Sequence, residues 1–448
     1  MEQIKRKNEV DMLHGSLANK IILFALPLAA SSILQQLFNS ADVAVVGRFA
    51  GSEALAAVGA NGSVINLFVN FFVGLSIGTN VVLSSYLGQA KHKPAQKTVH
   101  TSILLALICG IIMLVIGFFF AEKILIVMST PADILKPAVK YLRIYLFGMP
   151  FILLYNFEAA ILRSKGDTEH PLFALLIAGI INVILNLFFV IGFHMSVDGV
   201  AIATVLSNVV SSMLLLYVLL HENEPLKLEK TKLHISTQIV LKIAKIGIPS
   251  AFQATLYSIS NVSIQKAMNG LGSTAIAANA AALNYEYFAY FLLSAFSQAC
   301  VTFVSQNYAA GNKERCRKIV KYCWMSAALS EIVMNGIFIG FAHPFASVFT
   351  KDSAVAELAV IRMIYVLSFE VFNMTPEVLS GCMRGLGYSF IPAIICVLGI
   401  CGFRIIWIYT IFQRVHTYQR LIIVYPISWI ITSVAVFIAY LAVRKRIL

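Results

Sequence analysis

One acidic residue, Asp42, lies inside the apolar stretch 21–46. A charged side chain at the centre of a bilayer costs about 2.5–3.5 kcal/mol on insertion scales, so such residues usually have a function. Ser31, Gln35 and Asn39 precede Asp42 at helical spacing, which places all four on one polar face of a helix. A carboxylate among amides and hydroxyls can take up and release a proton, or bind a small cation. Asp42 is therefore a candidate functional residue, and a purely structural role in joining helices is the alternative.

Further polar residues recur at helical spacing on other apolar stretches. Asn182 and Asn186 are four residues apart, and so are Thr204 and Asn208. Such side chains avoid lipid, which offers no hydrogen-bond partners, and face protein or a water-filled cavity. They could complete an ion or substrate site with Asp42, to which Gln35 and Asn39 would also belong, or they could only join helices, at about 0.6 kcal/mol per bond. The second half has its own stripe, formed by Gln253, Tyr257, Asn261 and Gln265.

Three acidic residues of the second half, Glu286, Glu370 and Glu377, also lie in apolar stretches. Carboxylates at this depth are candidates for a second ion site or for a site that binds cationic substrates. For Glu158 we predict only an ion pair with the nearby Arg163. The sequence contains no metal-ligand spacing of His and Cys, no phosphate-binding loop and no nucleophile motif. We therefore predict no metal, no cofactor and no enzymatic activity.

The chain that carries these residues has the composition of a membrane protein. Of its 448 residues, 59% are hydrophobic and 12% are charged, whereas a typical soluble domain has roughly 25% charged residues. A helix needs about 20 apolar residues to span a bilayer. On this basis we predict an all-α polytopic membrane protein, embedded in the lipid bilayer, with twelve spans. These lie at 20–46, 54–80, 98–120, 138–161, 171–192, 198–220, 246–268, 274–304, 320–345, 356–382, 389–412 and 421–443.

The distribution of basic residues predicts the orientation of the spans. If the N-terminus is cytoplasmic, 23 of the 34 Lys and Arg residues fall in cytoplasmic segments and six on the opposite side. Lys and Arg are enriched in cytoplasmic loops, so both termini are predicted to be cytoplasmic. The same asymmetry explains the net charge of +13, and no nucleic-acid partner is predicted.

The two halves of the chain repeat each other at a spacing of 221 residues. Six helices in each half return the chain to the side it started from, so the repeat is parallel. We predict an N-terminal six-helix lobe at 1–221, a cytoplasmic connector at 222–245 and a C-terminal six-helix lobe at 246–448. Two such lobes suit alternating access, in which one bundle rocks against the other around a central site. The matching pairs are Gly51 and Gly272, Ser84 and Ser305, Arg163 and Arg384, Gly166 and Gly387, and Pro171 and Pro392.

Three segments resemble the multidrug and toxic compound extrusion (MATE) transporters. The first helix and its continuation, FALPLAASSILQQLFNSADVAVVGRFAGSEALAAVGA, are similar to the family's opening segment, with its Pro, Gln-Gln and Asp. VSQNYAAGNKERCRK at 304–318 resembles the element after the eighth helix, and SGCMRGLGYSFIP at 380–392 resembles the loop between the tenth and eleventh. The likeness extends over essentially the full chain, and the bacterial DinF-like branch is the most similar.

The resemblance implies an antiporter of the bacterial inner membrane. Such a protein exports small amphipathic, often cationic, compounds in exchange for protons or sodium, and we expect a monomer. Asp42 matches the family's first-helix acid, which is implicated in coupling, while Asn182 matches the amide of the fifth helix and Thr204 the hydroxyl of the sixth. Asn186 departs from the family, because several members carry an acid there. This difference disfavours a mechanism that needs two neighbouring acids.

Two other functions remain open on the sequence. A lipid-linked oligosaccharide flippase of the same superfamily would carry a large anionic substrate and would need basic residues within the membrane. Lys266, Arg362 and Arg404 are the candidates for that role. A membrane-embedded transferase would need clustered His or Asp at an interface, and the sequence has no such cluster. We therefore favour the multidrug antiporter.

Overall fold

The structure, a computed structural model, describes residues 9–128 and 130–447. Most of these residues are helical and none of them belongs to a β-strand, which confirms the predicted all-α fold class. The helices of the first half are α1 (Leu17–Val45), α2 (Ser52–Gly88), α3 (His92–Val127), α4 (Ala132–Leu146), α5 (Met149–Lys165), α6 (Glu169–Leu187) and α7 (Val197–Leu220). Those of the second half are α8 (Thr237–Asn269), α9 (Ser273–Ala309), α10 (Lys313–Gly340), α11 (Ala342–Phe349), α12 (Ser353–Gly385), α13 (Phe390–Cys396), α14 (Phe403–Tyr409), α15 (Ile411–Arg414), α16 (Tyr418–Ile422) and α17 (Val424–Ile447).

Ten helical segments are long and apolar enough to cross a membrane, counted over the described residues. Helices α4 and α5 form an eleventh span that is bent by 46°. Pro150 explains the bend, because proline fits the first turn of a helix but interrupts its interior. Helix α12 is 33 residues long and matches the predicted span 356–382, but it carries five charged residues. Each of the twelve predicted spans therefore lies on a helix or on a run of joined helices.

The chain forms two compact units. Over the described residues, the first unit comprises 9–10 together with Ala30–Gly247, and the second comprises Asp11–Ala29 together with 248–447. Helix α1 therefore begins in the second unit and ends in the first. Helix α8 begins at Thr237, within the segment 222–245 that we predict as a connector.

Close helix contacts and a buried ion cluster stabilise the first unit. Gly110 on α3 lies directly against the backbone of Pro150 on α5, where a Cβ atom would overlap. Small residues permit such approaches, and lipid drives helix association only weakly, so packing of this kind is what holds membrane helices together. The ammonium group of Lys165 lies 3.0 Å from Glu9, 3.6 Å from Asp167 and 2.9 Å from Glu222. These contacts connect the N-terminal segment to the ends of α5 and α7.

The second unit is organised around the contact between α9 and α12. Gly381 and Gly385, one turn apart on α12, face Ser297 and Val301 on α9. A Cβ atom at either glycine would lie 2.7 Å from a carbonyl oxygen of α9, so only glycine permits this spacing of the two backbones. The hydroxyl of Ser297 also donates a hydrogen bond to the carbonyl of Glu377 at 2.8 Å.

The internal repeat predicted from the sequence is visible in the backbone. Gly51 and Gly272 have φ of 91° and 95°, and each precedes a helix of 37 residues. Gly166 and Gly387 have φ of 104° and 87°, and each follows the cytoplasmic end of a helix in the predicted topology. Only glycine adopts such angles without steric cost. Matching glycines therefore make matching turns in the two halves.

Candidate functional site

Asp42 lies three residues before the end of α1, where the helix changes its geometry. The chain continues as a π-helical turn at Val46–Ala50. Helix α6 ends in the same way, with a π-helical turn at Phe188–Gly192 directly after Asn186 and Leu187. Such turns are frequent at functional sites, because they redirect the side chains of the preceding helix. These two turns pack against each other, and this contact places Asp42 beside α6.

Four of the predicted polar residues meet at this point. The side-chain amide of Asn186 donates a hydrogen bond to Oδ1 of Asp42 and another, of 3.2 Å, to Oδ1 of Asn182. The hydroxyl of Thr204 on α7 lies 3.4 Å from Oδ2 of Asp42 and donates to the carbonyl of Val200 at 2.9 Å. Asp42 is only 9% exposed. The structure therefore brings Asp42, Asn182, Asn186 and Thr204 together from three helices.

The geometry at Thr204 accommodates both charge states of Asp42. A hydroxyl has one proton to donate but can also accept. If Asp42 is protonated, its O–H can donate to Thr204 Oγ1 while Thr204 keeps its bond to Val200. If Asp42 is ionised, the Thr204 hydroxyl can turn and donate to the carboxylate. Neither state leaves the carboxyl group without a hydrogen-bond partner.

A side-chain contact between α1 and α6 lies next to this site. Phe38, one turn before Asp42, packs its ring onto Gly179 of α6, in the space that a Cβ atom would occupy. The missing side chain of Gly179 thus makes room for the Phe38 ring on the surface of α6. The polar stripe alone does not reveal this contact, because it depends on which face of α6 meets α1.

Gln35 and Asn39, which we predicted to share the site, lie outside this cluster. Gln35 and Asn39 are exposed, and within the described part of the chain neither side chain makes a hydrogen bond to Asn182, Asn186 or Thr204. Gln35 lies seven residues, or about 10 Å, before Asp42 along the helix axis.

Two tyrosines of α4 lie near Asp42 and were not identified from the sequence. Tyr141 and Tyr145 are one helical turn apart, and their rings stack with centroids 6.2 Å apart. Both phenols are close enough to interact electrostatically with Asp42. Their i, i+4 spacing was a signal available in the sequence, but nothing in it indicated that these residues lie near Asp42.

The three acids predicted for the second half have different surroundings. Glu286 accepts two hydrogen bonds from Arg362, from Nε at 2.6 Å and from Nη2 at 2.7 Å. Glu370 is 3% exposed, and its Oε2 has no hydrogen-bond partner among the described residues. It interacts electrostatically with Glu331, which accepts a bond from Asn335 at 2.8 Å. Glu377 is partly buried and lies near Arg384.

The ion pair predicted for Glu158 and Arg163 is wrong. Both carboxylate oxygens of Glu158 are buried, and neither has a hydrogen-bond partner in the described part of the chain. Five residues on an α-helix turn the side-chain direction by about 140° relative to the starting residue, so the two groups point to different faces of α5.

The comparison with known families agrees with the repeat and with the fold. The family model MatE matches the chain twice, over residues 27–188 and 249–410. "Probable multidrug resistance protein YoeA" of Bacillus subtilis is 25% identical over 392 residues, which covers 86% of this chain and 84% of the relative. "Probable multidrug resistance protein NorM" of Thermotoga maritima is 26% identical over 391 residues, with the same two coverages of 86% and 84%.

Solved structures show the same architecture. An outward-facing multidrug resistance MATE family transporter of the MOP superfamily superposes with a TM-score of 0.90 at 21% identity, over 99% of both chains. A MOP superfamily transporter from Pyrococcus furiosus superposes with a TM-score of 0.89 at 23% identity, over 99% of this chain and 98% of the other. At these identities the superpositions establish the two-lobed, twelve-helix fold. Because the family model accounts for most of the chain in two copies, the protein belongs to the MatE family of membrane transporters.

Proposed function

We propose that the protein is a secondary antiporter that exports amphipathic organic compounds, many of them cationic, by alternating access. It would act in the inner membrane of a bacterium and use an inward flow of cations. The names of the relatives support drug export, since YoeA and NorM are both described as multidrug resistance proteins. The observation that carries ion coupling is the buried Asp42 carboxyl group, with hydrogen-bond partners suited to either charge state.

The arrangement around Asp42 favours a proton over sodium as the coupling ion. A sodium ion needs several oxygen ligands, whereas Asn186 presents its NH₂ group to Asp42. No second carboxylate pairs with Asp42 in the described part of the chain. Protonation needs only the carboxyl group and an adaptable neighbour such as Thr204. An ionised Asp42 would favour a bound cationic compound and a protonated one its release, so the two fluxes would be linked.

Transport into proteoliposomes tests this function. The purified protein should move a fluorescent cationic dye when a pH gradient is imposed, and should move little when a sodium gradient is imposed at equal pH on both sides. A protonophore should abolish the dye movement, because it removes the gradient without touching the protein. If dye movement depends on neither gradient, the protein is not an antiporter for these ions. If only the sodium gradient drives dye movement, sodium and not the proton is the coupling ion.

We also propose that both termini are cytoplasmic, on the basis of the basic-residue distribution. Lys227 is exposed in the segment between α7 and α8, which is cytoplasmic in the predicted topology. Lys123 is exposed near the C-terminal end of α3, which lies on the other side of the membrane in that topology. Six of the seven native cysteines are buried, so background labelling will be low. A membrane-impermeant thiol reagent should label Lys227→Cys only in inside-out vesicles and Lys123→Cys only in intact cells. The reverse pattern would overturn the orientation.

The flippase alternative depends on basic residues within the membrane. Lys266 is exposed, and the charge of Arg362 is neutralised by Glu286. Of the three candidates, Arg404 is therefore the one that is buried and that no carboxylate of the described residues neutralises. One such residue gives little support to a carrier of large, multiply charged saccharides.

A further inference from the structure

Arg404 on α14 is a buried guanidinium held by aromatic rings. It is 5% exposed, and its Nε donates a hydrogen bond to the hydroxyl of Ser428 at 3.2 Å. The guanidinium carbon lies 4.3 Å from the ring centroid of Tyr425 and 5.9 Å from that of Trp429. These rings belong to α17, so Arg404 has a fixed position against one helix of the second unit.

No carboxylate in the described part of the chain pairs with Arg404. Its electrostatic neighbours are Tyr425, Tyr257, Cys401 and the cationic Arg362. Arg362 makes the contrast clear, because it lies 4.9 Å from the same Tyr425 ring but gives two donors to Glu286. The Glu286–Arg362 pair is neutral as a whole. The positive charge of Arg404, in contrast, is not compensated by a carboxylate of the described residues.

Most N–H donors at the edge of the Arg404 guanidinium also have no hydrogen-bond acceptor among the described residues. Of its five N–H donors, one is used by Ser428, and no described residue accepts the other four. The faces of Tyr425 and Trp429 stabilise the positive charge but do not accept hydrogen bonds at the edge of the group. A guanidinium presents its edge donors as a planar fork that fits the two oxygens of a carboxylate or phosphate.

We infer that Arg404 binds an oxyanion, the carboxylate or phosphate of an amphipathic substrate. The inference rests on the proposed transport function and gives it a second substrate class, organic anions and zwitterions. Tyr425 and Trp429 supply an apolar surface next to the charged group, which suits a ligand that carries one oxyanion on an aromatic or aliphatic body. Two sources offer this chemistry, a soluble organic acid and the headgroup of a phospholipid.

A pair of dyes that differ only at a carboxyl group tests the role of Arg404. Tetramethylrhodamine bears a free carboxylate, and its methyl ester does not. In proteoliposomes, Arg404→Gln should lower transport of the free acid by about 10-fold to 100-fold, the range expected for a lost charged hydrogen bond, and should leave ester transport within about twofold. Arg404→Lys keeps the charge and should retain part of the free-acid transport. Arg414→Gln removes an exposed guanidinium from the end of the same span and should change neither.

The outcomes separate this inference from the proposed function. An equal loss of both dyes in Arg404→Gln would show that Arg404 only stabilises the fold, and would overturn the inference. If the parent protein moves the ester under a pH gradient but never the free acid, antiport stands and the inference fails. If the parent moves neither dye, the proposed function itself fails.

A binding measurement on the parent protein covers the case in which the variants do not fold. Trp429 reports on ligands near Arg404, because the two groups are 5.9 Å apart. The free acid should quench tryptophan fluorescence at a concentration about tenfold or more below that of the ester. Competition by acetylated amino acids or by short-chain phosphatidic acid would support the inference and identify the soluble or the lipid source. Equal binding of acid and ester, with no competition by either anion, would overturn it.

Discussion

The substitution Asp42→Asn should reduce ion-driven export to background while the protein still folds. The amide has nearly the size of the carboxylate, can accept the bond from Asn186 through its oxygen, and can donate to Thr204. It therefore mimics the protonated form of Asp42 and cannot titrate. The change also removes a charge that costs about 2.5–3.5 kcal/mol on insertion scales. The amount of Asp42→Asn protein in the membrane should accordingly be at least that of the parent protein.

Dye movement under an imposed pH gradient measures the effect, alongside equilibrium binding of a neutral ligand, which should survive. Glu53→Gln is the matched control, because it removes an exposed carboxylate from the same unit and should leave export unchanged. Export at the parental rate by Asp42→Asn would assign Asp42 to helix packing alone. The coupling group would then have to be sought among Glu286, Glu370 and Glu377.

Loss of either partner of the Glu286–Arg362 pair should strongly destabilise the second unit. The side chain of Arg362 is 0% exposed and that of Glu286 is 10% exposed, so removal of one partner leaves the other charge buried and uncompensated. Such changes typically cost about 3–5 kcal/mol. Arg362→Met and Glu286→Leu should each lower the free energy of unfolding by roughly this amount.

The double variant Arg362→Met with Glu286→Leu should recover most of the lost stability, because no isolated charge remains. Denaturant titration of the protein in detergent measures all three variants. Lys140 and Asp198 form a comparable pair at 2.8 Å, but Lys140 is 58% exposed. Lys140→Met should therefore cost less than about 1 kcal/mol. A double variant less stable than both single variants would mean that the pair acts through its shape or hydrogen bonds and not through charge compensation.

The sequence by itself determined that the chain belongs in a membrane, that its fold is all-α and that its two halves repeat each other. Long apolar runs require a membrane, since no other environment accommodates so many of them. Glycines 221 residues apart indicated the repeat, and in the structure Gly51 and Gly272 have similar φ angles of 91° and 95°. Both signals are local, because hydrophobicity and positive φ are properties of short segments. Asp42 was identified from a local signal as well, because it is an acid within an apolar stretch.

Only the tertiary structure decided which polar groups meet. Helical spacing places Gln35, Asn39 and Asp42 on one face of α1 but leaves open which neighbouring helix lies at each height. In the structure the Phe38 ring packs onto Gly179 of α6, and four residues further along α1 Asp42 accepts a hydrogen bond from Asn186. The charges of the second unit follow the same rule. Their partners come from different helices, so no spacing along the chain could show that Arg362 is neutralised and Arg404 is not.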